Sequence, residues 1–296
     1  MTGRILIVDD ILMNTKLLEA RLTAEYYTVL TADNGYDAIE ICKRGECDLV
    51  LLDVMMPNLT GFETCRLLKQ DSDTLHIPIV LVTALDSARD RVEGLEAGAD
   101  DFLTKPVREM ALLARVKSLL RLKLLVDELR MRAMTAHDVK TDLLVEKMTD
   151  RPTDDEPVVI VDDRPASSDR LRRTLVKAGY RVTVETDPQV ALINLAEQEP
   201  ILAIINLELE SFDGLRLCSQ LRSLDRTRNL PLLAVSREDD EPRLMRALDL
   251  GVNDYITRPI EPNELLARCM TQLRRRRYTD FLRQSVQATM EMAVKD

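Results

Sequence analysis

No run of about eighteen apolar residues occurs in the chain, which excludes a membrane-crossing helix. Met1-Thr2-Gly3-Arg4 passes at once into a short apolar stretch, so a charged-then-apolar leader peptide is not expected. Basic residues are not in excess: 41 stand against 51 acidic ones, for a net charge of -10, which disfavours a nucleic-acid-binding or membrane-binding surface. The five cysteines (Cys42, Cys47, Cys65, Cys218, Cys269) are odd in number and contain no Cys-x-x-Cys pair. A disulfide frame or zinc site is thereby disfavoured, and the thiols read as reduced packing residues. Histidine is scarce. His76 sits before Ile77-Pro78 in a loop and His137 in a charged stretch; neither has the setting of a phosphodonor and both are expected to be exposed. The expectation is a cytoplasmic protein with no nucleic-acid or membrane partner.

What is present is hydrophobic content of 45% over 296 residues, enough for about two domains with real cores. The most informative stretch is Leu49-Val50-Leu51-Leu52-Asp53-Val54-Met55-Met56-Pro57. An apolar run this short reads as a strand buried on both faces, as in a parallel sheet covered by helices. Asp53 then falls at the strand's carboxyl end, where open α/β sheets collect their ligands. Around it, strands are expected at Arg4 to Val8, Tyr27 to Thr31, Ile79 to Thr83 and Phe102 to Thr104. Helices are expected through Leu17, Leu18 and Leu22, and over Gly35 to Arg44, Phe62 to Lys69 and Ala88 to Ala97, with a last one from Glu109 past Arg130. Strictly alternating strands and helices imply right-handed crossovers and a five-stranded parallel sheet.

The unit then repeats. At a constant offset of 153, Asp9-Asp10 meets Asp162-Asp163, Tyr27 meets Tyr180, Gly61 meets Gly214, Cys65 meets Cys218, Pro106 meets Pro259, and Ala114-Arg115 meets Ala267-Arg268. A single offset without gaps over more than a hundred residues is an internal duplication of a whole domain, far longer than any solenoid period. Expected boundaries are 1–130 for the first domain, 131–156 for a helix extension and acidic linker, 157–278 for the second domain and 279–296 for a helical tail.

Three carboxylates, Asp9, Asp10 and Asp53, meet at the carboxyl ends of two strands. They would repel one another unless a hard cation lay between them, and oxygen-only ligation with open positions suits magnesium. Thr83 and Lys105 end two further strands on the same edge; a hydroxyl can donate to a phosphoryl oxygen and an ammonium offers a compact charge to an anion. Taken singly, the acid pair could cap a helix, Thr83 could be an ordinary strand residue, Lys105 a solvated charge and Phe102 a core aromatic. Their shared placement at strand ends instead composes a site for phosphoryl transfer to Asp53.

These residues, in this order, resemble the receiver domain of two-component response regulators, over residues 4 to about 123. The resemblance implies a flavodoxin-like (βα)5 fold in each copy, a five-stranded parallel sheet with helices on both faces. It implies Asp53 as phosphoacceptor, magnesium held by Asp9, Asp10, Asp53 and the Met55 carbonyl, Lys105 against the phosphate, and Thr83 with Phe102 as a switch pair. It also implies a cis Lys105-Pro106 bond, a sensor histidine kinase or phosphotransfer protein as partner, and phosphorylation-dependent homodimerisation.

The second copy departs at the chemistry. Asp53 becomes Asn206, Thr83 becomes Ser236 and Lys105 becomes Arg258, while Asp162-Asp163 persist. Asparagine offers no anionic nucleophile, so an intact fold without phosphorylation is expected there. Tandem receivers, the second lacking its acceptor, followed by a helix into Tyr278-Thr279-Asp280, look similar to the amino-terminal two thirds of PleD-type regulators. In that family the pair controls a GGDEF diguanylate cyclase making cyclic di-GMP. No Gly-Gly-Asp/Glu-Glu-Phe sequence occurs here, so the chain is expected not to be an enzyme, and a truncated regulator is preferred. A stand-alone phosphorelay shuttle, a phosphate sink or a scaffold for protein partners is the alternative. Arg274-Arg275-Arg276-Arg277 reads as a solvated helix face, and Leu266, Met270, Leu273, Phe281, Val286 and Met290 as a stripe that serves the domain core first and an interchain stalk afterwards.

Overall fold

The computed structural model describes residues 3–84, 87–134, 156–237 and 240–293. The linker expected over 131–156 lies mostly outside them, as do His137, the side chain of Met290 and residues 294–296.

The first repeat alternates β1 (Arg4–Val8), α1 (Leu12–Ala24), β2 (Thr28–Ala32), α2 (Gly35–Lys43), β3 (Leu49–Asp53), α3 (Gly61–Gln70), β4 (Ile79–Thr83), α4 (Ala88–Glu96), β5 (Asp101–Thr104) and α5 (Glu109–Met134). All its strands are parallel, in the order β2-β1-β3-β4-β5. The second repeat follows as β6 (Pro157–Val161), α6 (Pro165–Lys177), β7 (Arg181–Glu185), α7 (Pro188–Gln198), β8 (Leu202–Asn206), α8 (Gly214–Ser223), β9 (Leu232–Arg237), α9 (Glu241–Asp249), β10 (Asp254–Arg258) and α10 (Pro262–Ala293). Its order, β7-β6-β8-β9-β10, is the same topology. This is the doubly wound arrangement in which the strand order reverses next to the first strand of each repeat.

The central strands β3, β4, β6 and β8 are buried at every position, as unbroken apolar runs require. On one face of the first sheet, Leu6, Val50, Leu52 and Leu81 pack with Ala38, Cys65 and Leu68 of α2 and α3. On the other, Ile5, Ile7, Leu51 and Val80 meet Leu18, Leu22, Leu112 and Val116 of α1 and α5. All five cysteines are free and buried.

Local chemistry explains where the helices begin. Thr60 and Glu63 form a reciprocal capping box at α3, and Asn34 accepts from the Asp37 amide at α2. The strand expected from Tyr27 starts at Thr28, because the Tyr27 amide is still used to close α1 on the Leu22 carbonyl. Both Lys105-Pro106 and Arg258-Pro259 are cis.

Three expectations are corrected. His76 is half-buried rather than exposed, because the long α5 covers its loop and brings Arg130 onto the ring Nδ1. Arg274, Arg275, Arg276 and Arg277 are half-buried rather than a solvated face, with Arg276 donating to the Asn229 carbonyl at 3.3 Å. Phe281 and Val286, expected in an interchain stalk, pack within the chain against Leu75, Ala133, Tyr278 and Leu282. Segment Arg277–Asp296 accordingly belongs to the same compact unit as Met1–Met148, while Thr149–Arg276 forms the other. Among the described residues, no helix is long and apolar enough to cross a membrane.

Candidate phosphoacceptor site

Parallel strands end on one edge of the sheet, and the register Val8↔Leu52, Asp53↔Val82, Thr83↔Thr104 carries the functional side chains to it. Asp53 is the last residue of β3, Thr83 the last of β4; Asp9 and Asp10 directly follow β1, and Lys105 follows β5. The Lys105 amide donates to the Thr83 carbonyl at 2.7 Å, so these two positions are fixed to each other by the backbone.

One oxygen from each of Asp9, Asp10 and Asp53 lies within 4.8 Å of the others, in the only such cluster of possible metal-binding side chains among the described residues. Asp9 and Asp53 are buried, 3% and 4% exposed, while Asp10 is exposed. The Lys105 ammonium bridges the buried pair, 2.7 Å from Asp53 Oδ1 and 2.8 Å from Asp9 Oδ2. The Ile11 amide and Asn14 Nδ2 donate to Asp9 at 2.9 and 3.0 Å, which holds that carboxylate in place. Burial pushes the Asp53 carboxyl above its ordinary range, against the pull of Lys105, and Asp9 and Asp10 push in the same direction. Burial lowers Lys105, but its bonds to Asp53 and Asp9 outweigh that and hold it above the usual lysine range. The donors are all oxygen and one carboxylate is open to solvent, which fits a hard, partly hydrated divalent cation.

The corner between β3 and α3 depends on Gly61. A Cβ there would lie 2.1 Å from the Asp53 carbonyl oxygen, and the Gly61 amide donates to the Val54 carbonyl at 3.0 Å. Met55 lies in this corner, 64% exposed. Thr83 is buried, and a small cavity separates it from Phe102, which is half-buried against the core with Arg91 over its ring at 5.7 Å. The structure therefore joins Asp9, Asp53 and Lys105 directly, brings an Asp10 oxygen within 4.8 Å of the other two carboxylates, and puts Thr83 on the same edge beside a small cavity that Phe102 also lines. Asn14 escaped the sequence reading, since a single amide in a helical first turn carries no motif.

The equivalent edge of the second repeat is built differently. Asn206 Nδ2 donates to Asp162 Oδ1 at 2.9 Å, and its Oδ1 accepts from the Glu208 amide at 3.1 Å. Asp163 accepts from the amides of Glu210 and Ser211 at 2.7 and 3.3 Å. Glu208, at the Met55 position, pairs with Arg237 at 2.7 Å and Arg164 at 3.6 Å. The protein's own amide and guanidinium groups thus engage Glu208 and one oxygen each of Asp162 and Asp163, while Asp162 Oδ2 and Asp163 Oδ1 are shielded from solvent and make no hydrogen bond. Nothing in the lone sequence of this copy signalled that network, though the offset of 153 aligns Arg164 with Ile11 and Glu208 with Met55.

Comparison with known proteins agrees with the duplication. The response regulator receiver domain family matches residues 5–117 and again 158–270, at the offset read from the sequence. Response regulator PleD of Caulobacter vibrioides is 47% identical over 297 residues, covering 100% of this chain and 64% of that protein. The chain therefore spans less than two thirds of that relative's length. Response regulator MprA of Mycobacterium ulcerans is 42% identical over 151 residues, 50% of this chain and 64% of its own length. Among solved structures, the receiver domain of a signal transduction histidine kinase from Syntrophus aciditrophicus is 39% identical, with a TM-score of 0.39, covering 40% of this chain and 91% of that one.

Proposed function

This chain belongs to the response regulator receiver family, and we propose that its first receiver is a magnesium-dependent phosphoacceptor switch while its second is a non-phosphorylated adaptor. The observation that carries the reading is the convergence of Asp9, Asp10, Asp53 and Lys105 on one sheet edge. Asp53 is the acceptor: one of its oxygens attacks phosphorus, the P–N bond of a phosphohistidine donor breaks, and the leaving imidazole takes up a proton. Asp9, Asp10, Asp53 and the Met55 carbonyl would hold magnesium, which when bound shields the like charges and the incoming phosphoryl oxygens. Lys105 exchanges its bond to the Asp53 carboxylate for one to the phosphoryl group, and Thr83 turns its hydroxyl toward the same group. Phe102 and the cavity beneath Thr83 supply the space for that rearrangement, so phosphorylation biases a pre-existing equilibrium of the β5 and α5 face.

The partner is a sensor histidine kinase or a phosphotransfer protein, and the compartment is the cytoplasm. Phosphorylation favours a homodimer, and in a longer chain carrying a GGDEF domain that dimer would control cyclic di-GMP synthesis. The role of the two receivers in this chain is regulatory.

The test is light scattering of the purified chain with and without magnesium and beryllofluoride, a mimic of the aspartyl phosphate, alongside intact-mass analysis after incubation with a phosphodonor. A shift from monomer to dimer that disappears in Asp53→Asn is the expected result. Phosphate loading with an unchanged light-scattering mass would overturn the dimer, and absence of loading would overturn the acceptor.

A further inference from the structure

Lys105 and Arg258 occupy the same position in the two repeats but face different ways. Lys105 turns into the acid cluster because two ionised groups await it, Asp9 and Asp53. At the second edge the counterpart of Asp53 is a neutral amide that already serves Asp162. Arg258 keeps only a long approach to Asp162, 3.5 Å from Nη2 to Oδ2, and gives its hydrogen bond to Ser167 Oγ on α6 at 2.8 Å. One of its terminal nitrogens thus stays beside Asp162 while the other reaches Ser167, at the cleft between α6 and the start of α10.

That cleft holds a cavity of about 120 Å3, lined by Ser167, Arg170, Leu171, Arg258, Pro259 and Leu265 among others. Arg170 is the second cation. In the first repeat its position is Leu17, and the equivalent loop carbonyl, Val107, is held one turn later by Arg21 at 2.6 Å. In the second repeat Arg170 reaches the Ile260 carbonyl at only 3.3 Å. Among the described residues no carboxylate lines this cavity, although the chain as a whole is acidic. Arg258 Nε is shielded from solvent and makes no hydrogen bond. Ser167 Oγ accepts from Arg258, so its own proton is left to donate. Two guanidinium groups and a hydroxyl donor over apolar walls form a cradle for a tetrahedral oxyanion carrying an apolar substituent.

We propose that the second receiver has exchanged its cation chemistry for an anion site, in which Arg170, Arg258 and Ser167 bind a phosphate group, as the free ion or as a phosphate monoester. The site is separate from Asp53 and requires no metal.

The experiment is calorimetric titration of orthophosphate and of phenyl phosphate into the 296-residue chain carrying Asp53→Asn, in chelator and at constant ionic strength. Saturable binding of one equivalent is expected, weakened at least tenfold by Arg170→Leu, which installs the residue of the first repeat at an exposed position. Arg258→Met, checked for folding by circular dichroism, is expected to lose binding as well. Tighter binding of the phenyl ester assigns the site to monoesters; equal affinity assigns it to the free ion. No saturable heat with either ligand, or affinities indifferent to both substitutions, would overturn the site.

Discussion

At the scale of single residues, the two copies answer the same electrostatic problem in opposite ways, and each answer predicts something about the other. Asp53 is a buried acid whose folded pKa lies above its ordinary value, chiefly because burial disfavours the charge. Such a group contributes fully only below its unfolded pKa of about 3.9, and that contribution is lost as pH rises through the folded value. At neutral pH its ionised form therefore opposes folding. Asn206 removes the charge and satisfies both ends of its amide. Asp53→Asn is expected to raise the melting temperature of the first receiver by a few °C at pH 7 without magnesium, on the order of 1 kcal/mol. The gain should shrink as pH falls toward the folded pKa, and also when magnesium stabilises the unsubstituted chain by mass action. Calorimetric scans at several pH values would check this; a lower melting temperature for the variant at pH 7 would show that the Lys105 ion pair outweighs burial. The identities of Asp9, Asp10, Asp53 and Lys105 are readable because each stands at or just after the carboxyl end of a strand. The bonds of Asn14 to Asp9, and of Asn206 to Asp162, were not, since they depend on how a loop turns after the strand ends.

At the scale of elements, the corner after β3 and its counterpart after β8 are the most constrained pieces of backbone. A Cβ on Gly61 would press on the Asp53 carbonyl oxygen at 2.1 Å and on Val54 Cα at 2.8 Å; one on Gly214 would lie 2.5 Å from Leu207 Cα and 2.6 Å from the Asn206 carbonyl oxygen. The obstacles are main-chain atoms, which cannot rotate away. Gly61→Ala and Gly214→Ala are each expected to cost about 2–4 kcal/mol in urea unfolding, since the strand end or the helix must shift. The first should also impair phosphate loading on Asp53, whereas the second should leave loading intact. A full-stability Gly61→Ala variant would mean that α3 can retreat without disturbing the acceptor. Elements of this kind were largely legible. Continuous apolar runs located β3 and β4 to the residue, because a strand buried on both faces has no other composition available. The apolar run places strand β2 one residue early, because Tyr27 is apolar enough to join it while its amide is already bound to the Leu22 carbonyl.

At the scale of the whole chain, the segment after the second receiver proved hardest to read. The tail pattern was visible in the sequence, but which surface would receive it was not, because an apolar stripe specifies a need for burial and no address. In the structure, Tyr278 and Leu282, 6% and 2% exposed, close a small core with Leu75 and Ala133, flanked by Val126, Leu129, Phe281 and Val286. Tyr278 also bonds to Arg130, whose guanidinium meets His76. Burial, together with the cations Arg130, Lys123 and Lys69, pushes the His76 imidazole down to about 2, so the ring is neutral and acts as a fixed acceptor rather than a titrating switch. A chain ending after Arg276 would strip this core of both tail side chains, each contributing about 1.5–3 kcal/mol by burial. Hydrogen exchange should then accelerate in the second half of α5 and around Leu75, while β1, β3 and β4, whose two faces are covered by α1, α2, α3 and the first half of α5, keep their protection. Arg130 would lose its tyrosine partner, and His76 would gain water and titrate nearer its ordinary value, a change visible by following its ring protons against pH. Unchanged exchange in α5 after truncation would mean that Leu75 and Ala133 are covered well enough without the tail, and that α5 holds its length by its own contacts.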